Sequence, residues 1–191
     1  MLYLSDGIWL CLNAVSGLFP SGGGSSMKYS IRKVRQGDEK ALAYIQTESW
    51  KAAFGDILSP DVLKKATDLT RATAMYQWLL EEKQGNGYIL EVDGTPHCIA
   101  YWDKARDNDM PDYAELICIH SLQNKWRKGY GTKMIEKVLE DVKAAGYHKI
   151  MLWVFTENTR ARKFYESCGF VTYGKVKPCF GTEEICYERT L

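Results

Sequence analysis

Gly129 and Gly131 follow the basic run Lys125-Trp126-Arg127-Lys128 and stand where a strand gives way to an amphipathic helix. Glycine lets the backbone come close to a ligand, and the N–H groups of a first helical turn point at an anion. With three cations alongside, Trp126 to Thr132 reads as a cradle for a diphosphate-bearing cofactor. A nucleotide phosphate loop is absent, because no G-x-x-x-x-G-K-S/T occurs. A dinucleotide fingerprint is incomplete, with Met134 where the third glycine belongs. Alone, the turn fits several anionic cofactors or a plain strand-to-helix connection. A second cluster lies one helix and one strand further on, Asn158-Thr159-Arg160-Ala161-Arg162-Lys163-Phe164-Tyr165-Glu166-Ser167-Cys168-Gly169-Phe170. Tyr165 comes seven residues after Asn158, about two helical turns, so both can face one cleft.

The elements that must position these groups are legible from periodicity. Tyr29 to Val34 alternates as a strand, and Asp38 is placed to cap a helix whose apolar stripe, Leu42, Ile45 and Trp50, runs to about Phe54. Pro60 opens a short helix and Thr70 to Gln84 reads as another. Gly87 to Val92 and His97 to Trp102, joined through Asp93-Gly94, form a hairpin. Lys104 to Pro111 is a polar loop, and Tyr113 to Leu122 is a strand leading into the glycine turn. Met134, Ile135, Val138, Leu139 and Val142 recur at helical spacing, and Gly146 stops that helix. Lys149 to Phe155 is a continuous apolar strand of the kind buried at a sheet centre. A short helix over Asn158 to Cys168 and strands starting near Phe170 and Ile185 complete the chain. A hairpin-built antiparallel half joined to a strand–helix–strand half predicts an α/β fold with a mixed sheet flanked by helices.

At this point a family resemblance becomes specific. The second cluster resembles the N-x-x-A-x-x-F-Y-E-x-x-G-F signature of the GNAT acyl-CoA N-acyltransferase superfamily, and the glycine turn resembles its (Q/R)-x-x-G-x-(G/A) loop. The two stand in the family's order, and Met27 to Leu191 follows its element order throughout. The resemblance implies a central, mostly antiparallel sheet of about seven strands, splayed between strands 4 and 5, with about four helices. It implies acetyl-CoA as acyl donor and transfer to a primary amine, in a small molecule or peptide, by direct attack in a ternary complex. Carried onto this chain, the backbone of Ile119 and Ser121 meets the pantetheine arm. Trp126, Arg127, Lys128, Gly129, Tyr130, Gly131 and Thr132 hold the diphosphate, and Asn158 contacts the cofactor arm. Tyr165 protonates the CoA thiolate; its phenol, with an ordinary pKa near 10, is matched to a thiol. Glu115 and His120 are the candidate bases, and Trp50, Phe54 and Tyr101 the candidate walls of the acceptor pocket. The resemblance also admits a homodimer and, as an alternative function, a non-catalytic acyl-CoA-binding module. One position departs from the pattern: Trp126 stands where the family usually has Gln or Arg.

Composition narrows the partners. With 25 basic and 24 acidic residues among 191, the chain has no electrostatic claim on nucleic acid or a membrane surface. Six scattered cysteines without a C-x-x-C pair read as free thiols in a cytoplasmic protein, and no metal is called for. Residues 1–26 end in Ser21-Gly22-Gly23-Gly24-Ser25-Ser26 and read as a leader and linker, appended or from a misassigned start, ahead of an N-acetyltransferase domain over 27–191.

Overall fold

A computed structural model of the protein describes residues 28–191, so the leader and linker read at 1–26 lie outside the described residues. A seven-stranded sheet forms the centre: β1 (Tyr29–Lys33), β2 (Asn86–Val92), β3 (Thr95–Lys104), β4 (Ala114–Ser121), β5 (Lys149–Phe155), β6 (Val171–Cys179) and β7 (Thr182–Thr190). Its strand order is β1-β2-β3-β4-β5-β7-β6. Every neighbouring pair is antiparallel except β4 with β5. Five α-helices flank it, the number read from periodicity and one more than the resemblance implied: α1 (Glu39–Phe54), α2 (Pro60–Ala66), α3 (Leu69–Glu81), α4 (Tyr130–Ala144) and α5 (Thr159–Ser167).

Local chemistry accounts for the elements. The β2–β3 turn takes positive φ at both Asp93 (51°) and Gly94 (77°), the combination a two-residue hairpin needs. Ser59 caps α2 at Val62 N–H, Asp68 caps α3 at Arg71 N–H, and Pro60 opens α2 where its missing N–H costs nothing. Asp38 behaves differently from the expected cap. Its carboxylate accepts a fork from Arg32 at 2.7 and 2.9 Å and the Arg35 N–H at 2.8 Å, tying β1 to the start of α1. Gly146, at φ 90°, closes α4 as a left-handed C′ residue.

Both faces of the sheet are covered. On one, α1 contributes Leu42, Ala43 and Ile45, and the Tyr76 hydroxyl of α3 donates to Gln46 of α1 at 2.7 Å. On the other, Met134, Ile135, Val138 and Val142 of α4 are buried, and the Tyr88 hydroxyl of β2 donates to Asp141 at 2.5 Å. The far half of the first face has no helix over it. The β3–β4 connection folds back there, placing Ala105, Met110 and Tyr113 on Met151, Trp153 and Cys186.

Gly87 marks the tightest approach of β2 to its surroundings. A Cβ at this position would lie 2.6 Å from Tyr101 Cε1 and 2.6 Å from Val34 Cγ2. Gly87→Ala is therefore expected to destabilise by about 1–3 kcal/mol through overpacking. A thermal melt should show Tm falling by roughly 3–10 °C; an unchanged Tm would mean that Tyr101 moves freely aside.

Candidate active site

The site begins with a gap in the sheet. β4 and β5 pair only at Ala114–Ile150 and Glu115–Met151. Beyond that point the strands diverge, and the β5-side edge of Leu116 to Ser121 has no strand partner among the described residues. An unpaired strand edge is a row of peptide donors and acceptors, ready to bind an extended amide-containing ligand as an added strand.

A bulge sets which side chains face the gap. Tyr101 pairs with Cys118 while Trp102 pairs with Leu116, so Ile117 is the extra residue. Alternation is interrupted there, as bulges do. Glu115, opposite Asp103, and His120, opposite Ile99, consequently lie on one face of the sheet, the α1 face. Ile119 lies on the other face, opposite Ala100, and is fully buried.

At the wide end of the gap the glycine turn opens α4. Gly129 adopts φ 82° with open space where a side chain would be, and Arg127 takes φ 62° despite its Cβ. The first intrahelical bond comes from Lys133 N–H to Gly129 C=O at 3.1 Å, so Gly131 and Thr132 present their N–H groups at the open helix end. Tyr130 contributes through its backbone; its ring is buried, 5.3 Å from His97 and 6.2 Å from Tyr29. Trp126 bridges the turn to the sheet by donating its indole N–H to the Ser121 C=O at 2.8 Å. That carbonyl, read as a pantetheine contact, is thus already engaged. Ser121 Oγ lies 3.1 Å from His97 Nε2, a histidine the sequence reading passed over.

Tyr165 lies on α5, the helix that follows β5, and is near enough to Cys118 of β4 and Cys98 of β3 to feel them electrostatically. Asn158 ends the β5 connection and caps this helix, accepting from Ala161 N–H at 3.1 Å. Tyr165 is fully buried against Phe164 and Phe170, and its hydroxyl has no hydrogen-bond partner among the described residues. Burial, and then the neighbouring Cys118, Cys168 and Cys98, push its pKa well above that of an ordinary phenol. The group therefore keeps its proton through the physiological range. Protonated and without a partner among the described residues, the hydroxyl is free to donate a hydrogen bond to a bound group.

The two candidate bases, Glu115 and His120, sit in different surroundings. Glu115 sits at the closed end of the gap, and Ile119 lies four residues onward, roughly 13 Å along the strand. Its carboxylate is buried, and Arg106 donates to it through the backbone N–H (3.2 Å), Nε (2.9 Å) and Nη2. These contacts tie β4 to the β3–β4 connection and engage both carboxylate oxygens of Glu115. His120 faces α1, with Trp50 at 6.5 Å. Both of its ring nitrogens lack partners among the described residues, and burial lowers its pKa to about 3. It is a neutral imidazole that can accept a hydrogen bond but is too weakly basic to hold a proton near neutrality.

The aromatic walls also separate. Trp50 meets Phe54 edge-on at 4.9 Å and Phe180, at the β6–β7 turn, at 6.3 Å. Phe54 meets Phe155 at 4.8 Å. These rings close the α1 side of the gap. Tyr101 does not join them: it packs under Tyr76 at 5.8 Å, within the core between α3 and the sheet. Glu184, buried beside Phe155 in the β5–β7 register, is an acidic residue on this side that the sequence reading overlooked. Nothing in its local run of Thr182-Glu183-Glu184-Ile185 distinguished it from a solvated acidic turn.

A family model described as Acetyltransferase (GNAT) family matches residues 44–170, two-thirds of the chain. The chain belongs to the GNAT acetyltransferase family. Among curated relatives, an uncharacterised N-acetyltransferase of Methanocaldococcus jannaschii is 29% identical over 99 residues, half of this chain and 43% of that protein. The chain thus spans less than half the length of that relative. An uncharacterised N-acetyltransferase of Bacillus subtilis is 22% identical over 129 residues, 68% of this chain and 73% of that protein. The crystal structure of PaiA N-acetyltransferase from Thermoplasma acidophilum, in complex with coenzyme A, superposes with a TM-score of 0.71 at 19% identity. It covers 86% of this chain and all of that one. That likeness shows the fold.

Proposed function

We propose that this GNAT protein transfers an acetyl group from acetyl-CoA to a primary amine by direct attack in a ternary complex. The observation that carries the reading is a buried Tyr165 hydroxyl with no hydrogen-bond partner among the described residues, on the helix that follows β5, together with the early end of β4–β5 pairing. The diphosphate rests on the Gly129–Thr132 turn, and the pantetheine amides extend along the free edge of β4. The thioester carbonyl then lies near Ile119. The amine nitrogen attacks that carbonyl carbon from the α1 side, forming the C–N bond as the C–S bond breaks. Tyr165 gives its proton to the departing sulfur, and the nitrogen loses one to solvent. His120 accepts a hydrogen bond from the incoming amine and orients it without being protonated, consistent with its lowered pKa.

The fit of the chain to the cofactor rests on its own residues. Gly129 leaves the turn open to close approach, and Gly131 and Thr132 supply N–H donors. A cytoplasmic setting belongs to the same proposal, supported by five free cysteines among the described residues, three of them buried. Among those residues no helix is long and apolar enough to cross a membrane.

The near-complete burial of Trp50, Phe54 and Phe155 favours a second reading, an acyl-CoA-binding module whose acceptor side is closed. Release of free CoA thiol from acetyl-CoA, followed with a panel of peptide N-termini, polyamines and small primary amines, decides between them. Amine-dependent release at least tenfold above hydrolysis is the expected result. Binding of acetyl-CoA with no release across the panel would support the module instead.

A further inference from the structure

Trp126 occupies the position where the family pattern has a Gln or Arg side chain, so the loop itself lacks that polar group. The structure places a guanidinium over it from another element. Arg160, the second residue of α5, lies with its Cζ 3.8 Å from the centroid of the Trp126 ring. The indole below is fixed by its bond to Ser121 C=O, so the platform is rigid. Stacking occupies the face of a guanidinium and leaves its in-plane N–H fork aimed outward.

Three further features show that this fork is not spent on the protein. Arg160 Nε is buried and has no acceptor among the described residues. No acidic side chain among them forms an ion pair with Arg160 or with its cationic neighbour Arg127. The two like charges are close enough for Arg127, after burial, to lower the Arg160 pKa. A half-buried Arg160 beside an exposed like charge, with no counter-ion among the described residues, is unfavourable until an anion arrives. The Gly129–Thr132 N–H groups lie in the same turn, on the side where α4 opens.

We propose that Arg160, laid flat on Trp126, is the side-chain ligand for the cofactor's diphosphate, replacing the polar group absent from the loop. Trp126 is the positioning residue, coupling that guanidinium to β4 through Ser121. The inference rests on acetyl-CoA being the donor. A planar fork matches two phosphate oxygens in a way a lysine ammonium does not. It also links the two motif clusters of the sequence, one in the loop and one in α5, into a single anion site.

The test measures, by calorimetry on the full chain, binding of CoA, dephospho-CoA and pantetheine, the last of which carries no phosphate. Arg160→Gln is expected to weaken CoA and dephospho-CoA alike by roughly 10–50-fold, in line with losing a charge-assisted bidentate contact, and to leave pantetheine unchanged. Arg160→Lys should recover only part of the loss. Trp126→Leu should reproduce the Arg160→Gln pattern, and a thermal melt confirms folding; if Arg160→Gln does not fold, Arg160→Lys and Trp126→Leu carry the comparison. An equal loss for pantetheine would show a merely structural role and overturn the proposal. A loss for CoA alone would assign Arg160 to the 3′-phosphate and overturn it too, as would unchanged CoA affinity. A wild-type chain that binds none of the three would defeat the acetyl-CoA reading itself, and this inference with it.

Discussion

Tyr165→Phe is expected to lower kcat by about 100-fold while leaving acetyl-CoA affinity within about a factor of two. The hydroxyl is buried and has no partner among the described residues, so its loss removes no structural hydrogen bond and leaves nothing newly unsatisfied. The phenyl ring keeps its contacts with Phe164 and Phe170. Stability should therefore hold or rise slightly, because an orphaned buried hydroxyl is itself unfavourable. The fall in kcat lies at the lower end of the range for general acids because a thiolate is already a fair leaving group. The pH profile gives a second check. The Tyr165 pKa is raised by burial, so the acid form persists above pH 10 and the wild-type rate should show no alkaline fall below that value. Equal kcat for wild type and variant across amine acceptors would remove Tyr165 from the mechanism.

Acidification is expected to cost stability in a window where carboxylates do not yet titrate. Burial lowers His120 to about 3, and burial together with Lys125 lowers His97 to about 4, against 6.5 for a free imidazole. The sign follows from proton counting. Between pH 6.5 and pH 4 the unfolded chain binds protons at these two sites and the native chain does not, so acid favours unfolding. At about 1.4 kcal/mol per pH unit per group, the combined loss by pH 4 is on the order of 4–7 kcal/mol. That is comparable to the whole stability of many domains. Asp38 and Asp141, whose pKa values are held down mainly by Arg32 and by Lys137 with Tyr88 against the opposing effect of burial, add their loss only below about 3.8. Denaturant unfolding at pH 7.5 and 4.5 should show the drop, and His120→Leu should shrink it by up to half. A wild-type stability that is flat from pH 7 to 4.5 would mean that both imidazoles gain protons in the native state.

Strand and helix order and the left-handed glycines at the Asp93-Gly94 turn and Gly146 were legible, because hydrophobic period and turn chemistry are local properties. The divergence of β4 from β5 entered only through resemblance. In the sequence both strands are simply apolar, and nothing in such a run says where pairing stops.

What tertiary structure decided was the use of each polar side chain. Simple alternation puts Glu115 and His120, five residues apart, on opposite faces; the bulge at Ile117 returns them to one face. Arg106 then takes the Glu115 carboxylate from across the β3–β4 connection, a pairing that depends on how a loop folds back. His120, equal to any surface histidine in the sequence, becomes a neutral group because α1 seals it with Trp50. Trp126 looked like a defect in the loop until α5 laid Arg160 on it. By itself the sequence determined the family, the order of elements and the residues at the two motifs, since spacing and composition encode them. Which of those residues remain free to act was decided by partners brought from distant parts of the chain, and burial and charge pairing take effect only once the sheet has closed around them.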